Sequence, residues 1–132
     1  MNSFTGRLNS LAPYFLALLR VIAALLFMSH GTMKLLGFPA SDFQPPLFSM
    51  LGLAGALEIV GGLLLVIGLF TRPVAFILSG MMAVAYFMAH APQGFVPAQN
   101  GGEPAVLFCF IFLYLVFAGP GAFAVDNTRS RA

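Results

Sequence analysis

The side chains of this sequence that could do acid–base or hydrogen-bonding chemistry stand almost entirely inside long apolar runs. Glu58 lies in Gly52-Leu-Ala-Gly-Ala-Leu-Glu-Ile-Val-Gly-Gly62, and the nearest charges in sequence are Asp42 and Arg72. Arg20, His30 and Lys34 share an earlier run, His90 closes a third, and Glu103 stands just before Pro104 at the head of a fourth. An acid at membrane depth is costly unless it is paired or neutralised, and such residues are functional candidates by default. A cation beside Glu58 would fix helix register or gate a proton. A histidine close to an acid is suited to proton exchange with a bound oxygen near neutral pH. The single cysteine, Cys109, excludes an internal disulfide and a CxxC redox pair. No HExxH or CxxC ligand spacing, glycine-rich phosphate loop or nucleophile elbow is present, so no metal site is expected.

The elements that must position these residues follow from composition. The chain is 60% hydrophobic and 8% charged, with a mean hydropathy of +0.96. A soluble domain carries about a quarter of its residues as charges. A bilayer core takes roughly 17 to 25 apolar residues per helix, and four runs fit, at about 11–36, 46–70, 73–91 and 104–118. The expected fold is all-α: a membrane-embedded four-helix bundle forming one domain over residues 1–132. Pro46, Pro73 and Pro104 each head an apolar run, where the missing N–H costs nothing. The tight Gly68-Leu-Phe-Thr-Arg-Pro73 connection predicts that helices two and three are antiparallel neighbours. Arg7, Arg72, Arg129 and Arg131 gather on the side of the termini, which the positive-inside rule makes cytoplasmic. The basic pI of about 9.1 is thus an orientation signal, and nucleic acid is not an expected partner. Phe38, Phe43 and Phe95 in the two outward loops suggest a lid at the interface. Arg20 interrupts the first run, so that run is expected to be a retained helix and not a cleaved signal.

Counting at 1.5 Å per residue from the cytoplasmic ends puts Arg20 roughly 12 Å in and Glu58 roughly 18 Å in. An arginine stem spans that difference, so Arg20 and Glu58 are expected to form a buried ion pair. His30 and His90 both fall about 26 Å in, near Lys34 and Glu103. By helical phase, Arg20, Phe27, His30, Gly31 and Lys34 share one stripe, and Ser79, Ala83, Tyr86 and His90 another. Glu103, Phe110, Tyr114 and Phe117 share a third, and Ala54, Gly55, Gly61 and Gly62 lie beside Glu58. All four helices would then present a polar or aromatic stripe to one interior that opens outward. The ligand-binding candidates are His30, Lys34, His90, Asn100, Glu103, Tyr86 and Tyr114. Plain structural roles compete for several: Glu103 as a helix-start charge, Lys34 as a snorkelling cation, the Asn100–Glu103 segment as a turn.

In order along the chain, these pieces resemble the DoxX family of small four-helix membrane proteins. The matching residues are Leu19-Arg20, His30-Gly31 with Lys34-Leu35 and Gly37-Phe38, Glu58 with Gly61-Gly62, and Gly68-Leu69 with Thr71-Arg72. They continue with His90, Pro92 and Gly94-Phe95, then Asn100-Gly-Gly-Glu103, Gly119-Pro-Gly121 and Asp126. The family often has Trp and Ser before the final Asp, where this chain has Phe123-Ala-Val125. The resemblance implies an integral protein of the bacterial inner (cytoplasmic) membrane. It also implies redox work, since relatives are linked to thiosulfate:quinone oxidoreductase, to quinone and catechol resistance, and to complexes with superoxide dismutase and a sulfurtransferase.

Four functions compete on this reading. In the first, a redox-linked subunit holds a quinone or similar aromatic ligand, an oxidoreductase role with the histidines, Lys34 or Glu103 bonding its oxygens. In the second, the protein is a non-enzymatic anchor or assembly factor whose outward loops dock a soluble or membrane redox partner. The third is a small proton-coupled transporter gated by Arg20 and Glu58, and the fourth a b-type haem held between His30 and His90. The first is preferred, with lipid as the solvent partner and a homo-oligomer left open.

Overall fold

The computed structural model describes residues 3–42 and 44–129. Phe43, expected in the outward lid, and Arg131, counted among the orientation charges, lie outside the described residues. Among the described residues six α-helices follow in order: α1 Ser3–Leu36, α2 Met50–Ile67, α3 Thr71–Ala85, α4 Pro97–Asn100, α5 Glu103–Ala118 and α6 Val125–Arg129. A π-helical turn, Tyr86–His90, and a 3₁₀ turn, Ala91–Gln93, continue directly from α3. No strand occurs among the described residues, so the all-helical expectation holds.

Among the described residues three helices are long and apolar enough to cross a membrane: Ser3–Leu36, Met50–Ile67 and Thr71–Gln93. The fourth apolar helix, α5, has 16 residues and spans roughly 24 Å. Phe76, Ile77, Phe87, Phe110 and Phe117 all point outward and are well exposed. Around a soluble protein so continuous an apolar surface would drive association, whereas here it suits lipid.

Local chemistry sets the boundaries. Ser49 caps α2, its hydroxyl accepting from the Gly52 N–H at 3.1 Å, so α2 starts four residues later than Pro46 suggests. Gly68 ends α2 in the left-handed conformation at φ 71°, which glycine adopts without a Cβ penalty. At the other extreme α1 starts at Ser3, eight residues before the apolar run, with Pro13 accommodated inside it.

The helices pack chiefly as two pairs, α1 with α2 and α3 with α5. The α1–α2 contact is a close backbone crossing, because a Cβ on Gly31 would fall 2.6 Å from the carbonyl oxygen of Gly55. Small residues at such a crossing let helices approach without hydrophobic solvent driving them together. Gly61 sits against Leu78, so α2 and α3 also touch as antiparallel neighbours. An aromatic cluster joins α1 to α5: Phe27 meets Phe112 edge-on at 5.0 Å and Phe108 at 5.5 Å. The Ser79 hydroxyl donates to the Cys109 carbonyl at 2.8 Å, tying α3 to α5.

Two sequence expectations are corrected by this packing. Arg20 and Glu58 do not pair. Gly31 lies against Glu58, Gly62 against Ala24, and Gly68 against the Arg20 guanidinium, which sets the register of α1 on α2. Arg20 is therefore level with the end of α2, roughly ten residues or 15 Å from the level of Glu58. The depth count failed because it took α1 and α2 to end together, whereas α1 runs well past Gly68. The stripe assigned to α5 is also corrected, since Phe110, Tyr114 and Phe117 are 63%, 57% and 75% exposed and face outward. The buried face holds Ala105, Phe112 and Leu115. Because α5 is apolar on every side, its periodicity carries no phase.

Candidate functional site

The polar groups separate into two sets, one at each end of the bundle. At the end of the chain termini, three charged side chains close helix ends. The fully buried Arg20 guanidinium donates to the carbonyls of Leu65 at 2.8 Å, Ala122 at 3.2 Å and Phe123 at 3.1 Å, and also to that of Pro120. It thus holds the last turn of α2 and the Gly119–Phe123 turn together. Arg72 donates to the Val116 and Phe117 carbonyls, both at 2.8 Å, satisfying the C-terminal end of α5. The Asp126 carboxylate accepts from the N–H groups of Phe70 at 2.8 Å and Thr71 at 2.9 Å, so it caps α3 from the far end of the chain. Partial burial works against ionisation of Asp126. The main-chain donors and the nearby Arg129 outweigh it, so its carboxyl is held below the ordinary carboxylate range. Phe70, at φ 52°, is an uncommon left-handed bulky residue, and the hydrogen bonds from its own N–H and that of Thr71 to Asp126, with Arg129 stacked 4.4 Å over its ring, hold it there.

The sequence reading gave Arg72 an orientation role and Asp126 none. A signal was present, since helix termini buried in lipid need partners for their free N–H and C=O groups. Thr71-Arg72, Gly119-Pro-Gly121 and Asp126 all stand at such termini.

At the opposite end lies a cavity of about 330 Å³. Phe27, His30 and Lys34 come from α1, and Leu51, Ala54 and Glu58 from α2. Met81, Met82, Ala85 and His90 come from α3 and its π turn, Gly101 from the turn between α4 and α5, and Pro104, Ala105 and Phe108 from the start of α5. Lys34 bonds Glu58, Nζ to Oε1 at 2.5 Å, with the two side chains 28% and 3% exposed. Lys34 reaches the acid because it lies one turn beyond His30 and packs beside Gly55. Oε2 of Glu58 is buried and meets no donor among the described residues. His30 contacts Phe108 edge-on at 6.1 Å. His90 is placed by the π turn, and its Nδ1 is 3.1 Å from the Asn100 carbonyl.

Of the candidates read from sequence, His30, Lys34 and His90 come together in this cavity, with Glu58 at its wall. Asn100 is buried as the latch of the connecting loop. Its amide donates to the Gly94 carbonyl at 2.6 Å and the Tyr86 hydroxyl at 3.1 Å, and its Oδ1 accepts from the Gly102 N–H at 2.8 Å. Tyr86 bonds the Phe95 carbonyl and lines a separate apolar cavity of about 300 Å³, on the other side of Met82 and Ala105. Glu103 opens α5, exposed, where its charge complements the helix dipole. Tyr114 lies on the outer surface. No group of three or more His, Cys, Asp and Glu side chains suited to a metal occurs among the described residues.

Comparison with known proteins matches residues 15–91 to the family model described as DoxX. A protein of Haemophilus influenzae described as uncharacterized is 51% identical over 131 residues, covering 92% of this chain and 96% of its own length. No solved structure matches.

Proposed function

The chain belongs to the DoxX family, and on that premise we propose that it is a redox-linked membrane subunit holding a quinone or similar small aromatic ligand. The observation that carries this reading is the composition of the 330 Å³ cavity. Phe27 and Phe108 offer flat apolar walls and the two methionines adaptable ones, while His30, His90 and the Lys34–Glu58 pair gather donors and acceptors at the same place. Apolar pockets with a few convergent polar groups are the usual form of small-molecule sites. The Lys34 ammonium and the imidazoles are suited to bond ligand oxygens.

In this reading the bundle sits in a bacterial cytoplasmic membrane with both termini cytoplasmic and the cavity opening to the outer side. The start of α1, the α2–α3 turn and the C-terminal segment share one end, since Ala122 N–H bonds the Pro13 carbonyl at 3.0 Å and Asp126 N–H bonds the Gly68 carbonyl at 2.9 Å. Arg72 and Arg129 are at that end, in keeping with the positive-inside rule.

The test is the quinone content of the protein purified from native membranes in mild detergent. Bound quinone is expected in the wild type and less of it in His30→Ala and His90→Ala. The His30 variant is the cleaner one, because His90 also holds the loop through Asn100. Unchanged occupancy in both variants, or none in the wild type, refutes the proposal.

A further inference from the structure

We infer that this cavity selects an aromatic ligand that carries a hydroxyl over one presenting only carbonyl or ether oxygens, with Oε2 of Glu58 as the acceptor. The inference rests on the reading of the cavity given above and names the chemical form it takes. Glu58 is the one cavity-lining carboxylate, and its side chain is 3% exposed. Oε1 is engaged by Lys34 at 2.5 Å, while Oε2 is buried and receives no donor from the described residues. A carboxylate only accepts, so what satisfies Oε2 must donate. A quinone carbonyl or an ether oxygen there would set two acceptors against each other, whereas a phenolic O–H supplies the missing hydrogen.

The neighbouring charge decides against a cationic ligand. The Lys34 ammonium already neutralises the acid at contact distance. A second cation would therefore gain little Coulombic attraction and still lose its hydration. A neutral donor meets no such penalty, and Phe27 and Phe108 provide the faces for its ring. The claim concerns binding alone and involves no transfer of electrons.

The experiment measures equilibrium binding of tert-butylhydroquinone, its dimethyl ether and tert-butylbenzoquinone to the purified full chain in detergent, without oxygen. A hydrogen bond to a charged acceptor predicts that the hydroquinone binds about tenfold or more tightly than the ether. In Glu58→Gln that ratio should fall to about threefold or less, with affinity for the ether nearly unchanged. Should that variant fail to fold, infrared difference spectra of the wild type serve instead. Hydroquinone should shift the carboxylate stretch of Glu58 and the ether should not. Equal affinity for all three compounds, or an unmoved carboxylate band, overturns the inference and leaves the proposed ligand class standing. If none of the three binds, the proposed function falls and this inference with it.

Discussion

Replacing Lys34 by Met gives the sharpest test of how the bundle tolerates its central acid. The substitution keeps most of the stem and removes the ammonium that lies 2.5 Å from Glu58. Glu58 then has no arginine or second lysine beside it among the described residues. Arg20 is roughly ten residues away along α1, and its guanidinium is committed to the carbonyls of Leu65, Pro120, Ala122 and Phe123. Stranding one member of a buried pair costs about 3–5 kcal/mol. Lys34 is 28% exposed, so part of its charge is already solvated and the lower end, about 3 kcal/mol, is expected. Lys34→Met with Glu58→Leu removes both charges and leaves apolar groups in an apolar setting, a change that is often neutral. The double variant should therefore be more stable than Lys34→Met alone, with a coupling energy of about 2 kcal/mol. Denaturation in mixed micelles, followed by circular dichroism, measures all four corners of the cycle. Additivity within about 0.5 kcal/mol would refute the reasoning, as would a Lys34→Met variant as stable as the wild type.

Other outcomes follow from the opposite end of the molecule and from the helix crossing. Arg20→Lys should cost about 3 kcal/mol, because an ammonium cannot reproduce the planar fork that serves several carbonyls, and proteolysis should then release the segment after Gly119. Asp126→Asn should cost about 1 kcal/mol at neutral pH, because one amide oxygen replaces two carboxylate oxygens as acceptor, read by the same denaturation. Its folded carboxyl titrates below the ordinary range, so its contribution is complete above the unfolded value of about 4 and is lost as pH falls through the folded one; the variant should lack that acid limb. Gly31→Ala should destabilise by about 1–3 kcal/mol, since the added Cβ lands 2.6 Å from a backbone oxygen. Gly6→Ala, with nothing within 4 Å, should be neutral or stabilising by up to about 1 kcal/mol, and a Gly31→Ala as benign as Gly6→Ala would contradict the close crossing.

Particular residues mark where sequence reasoning succeeds. Of the stripe read for α1, Arg20, Phe27 and Gly31 are buried and the more exposed His30 and Lys34 line the cavity, because α1 mixes polar and apolar positions that give the periodicity a direction. The small residues beside Glu58 likewise mark the face of α2 that another helix approaches. For α5 the same method fails, as every position from Ala105 to Phe117 is apolar and lipid accepts any of them. Asn100 and Tyr86 were legible as polar residues near the cavity. That they are spent on each other and on the Gly94 and Phe95 carbonyls depends on a loop path that spacing does not encode.

By itself the sequence determined the helical class, the apolar surface suited to lipid, and the short inventory of groups able to do chemistry. Composition and hydropathy follow directly from residue type, so these need no coordinates. Only the tertiary structure decided which groups meet. Partner choice depends on the offset between antiparallel helices, and a shift of ten residues moves a side chain roughly 15 Å. That offset is set by the crossing of Gly31 at Gly55, the Ser49 cap and the extension of α1 to Ser3. It gives Glu58 to Lys34 and to the cavity, and it leaves Arg20 to bind the chain's own carbonyls at the far end.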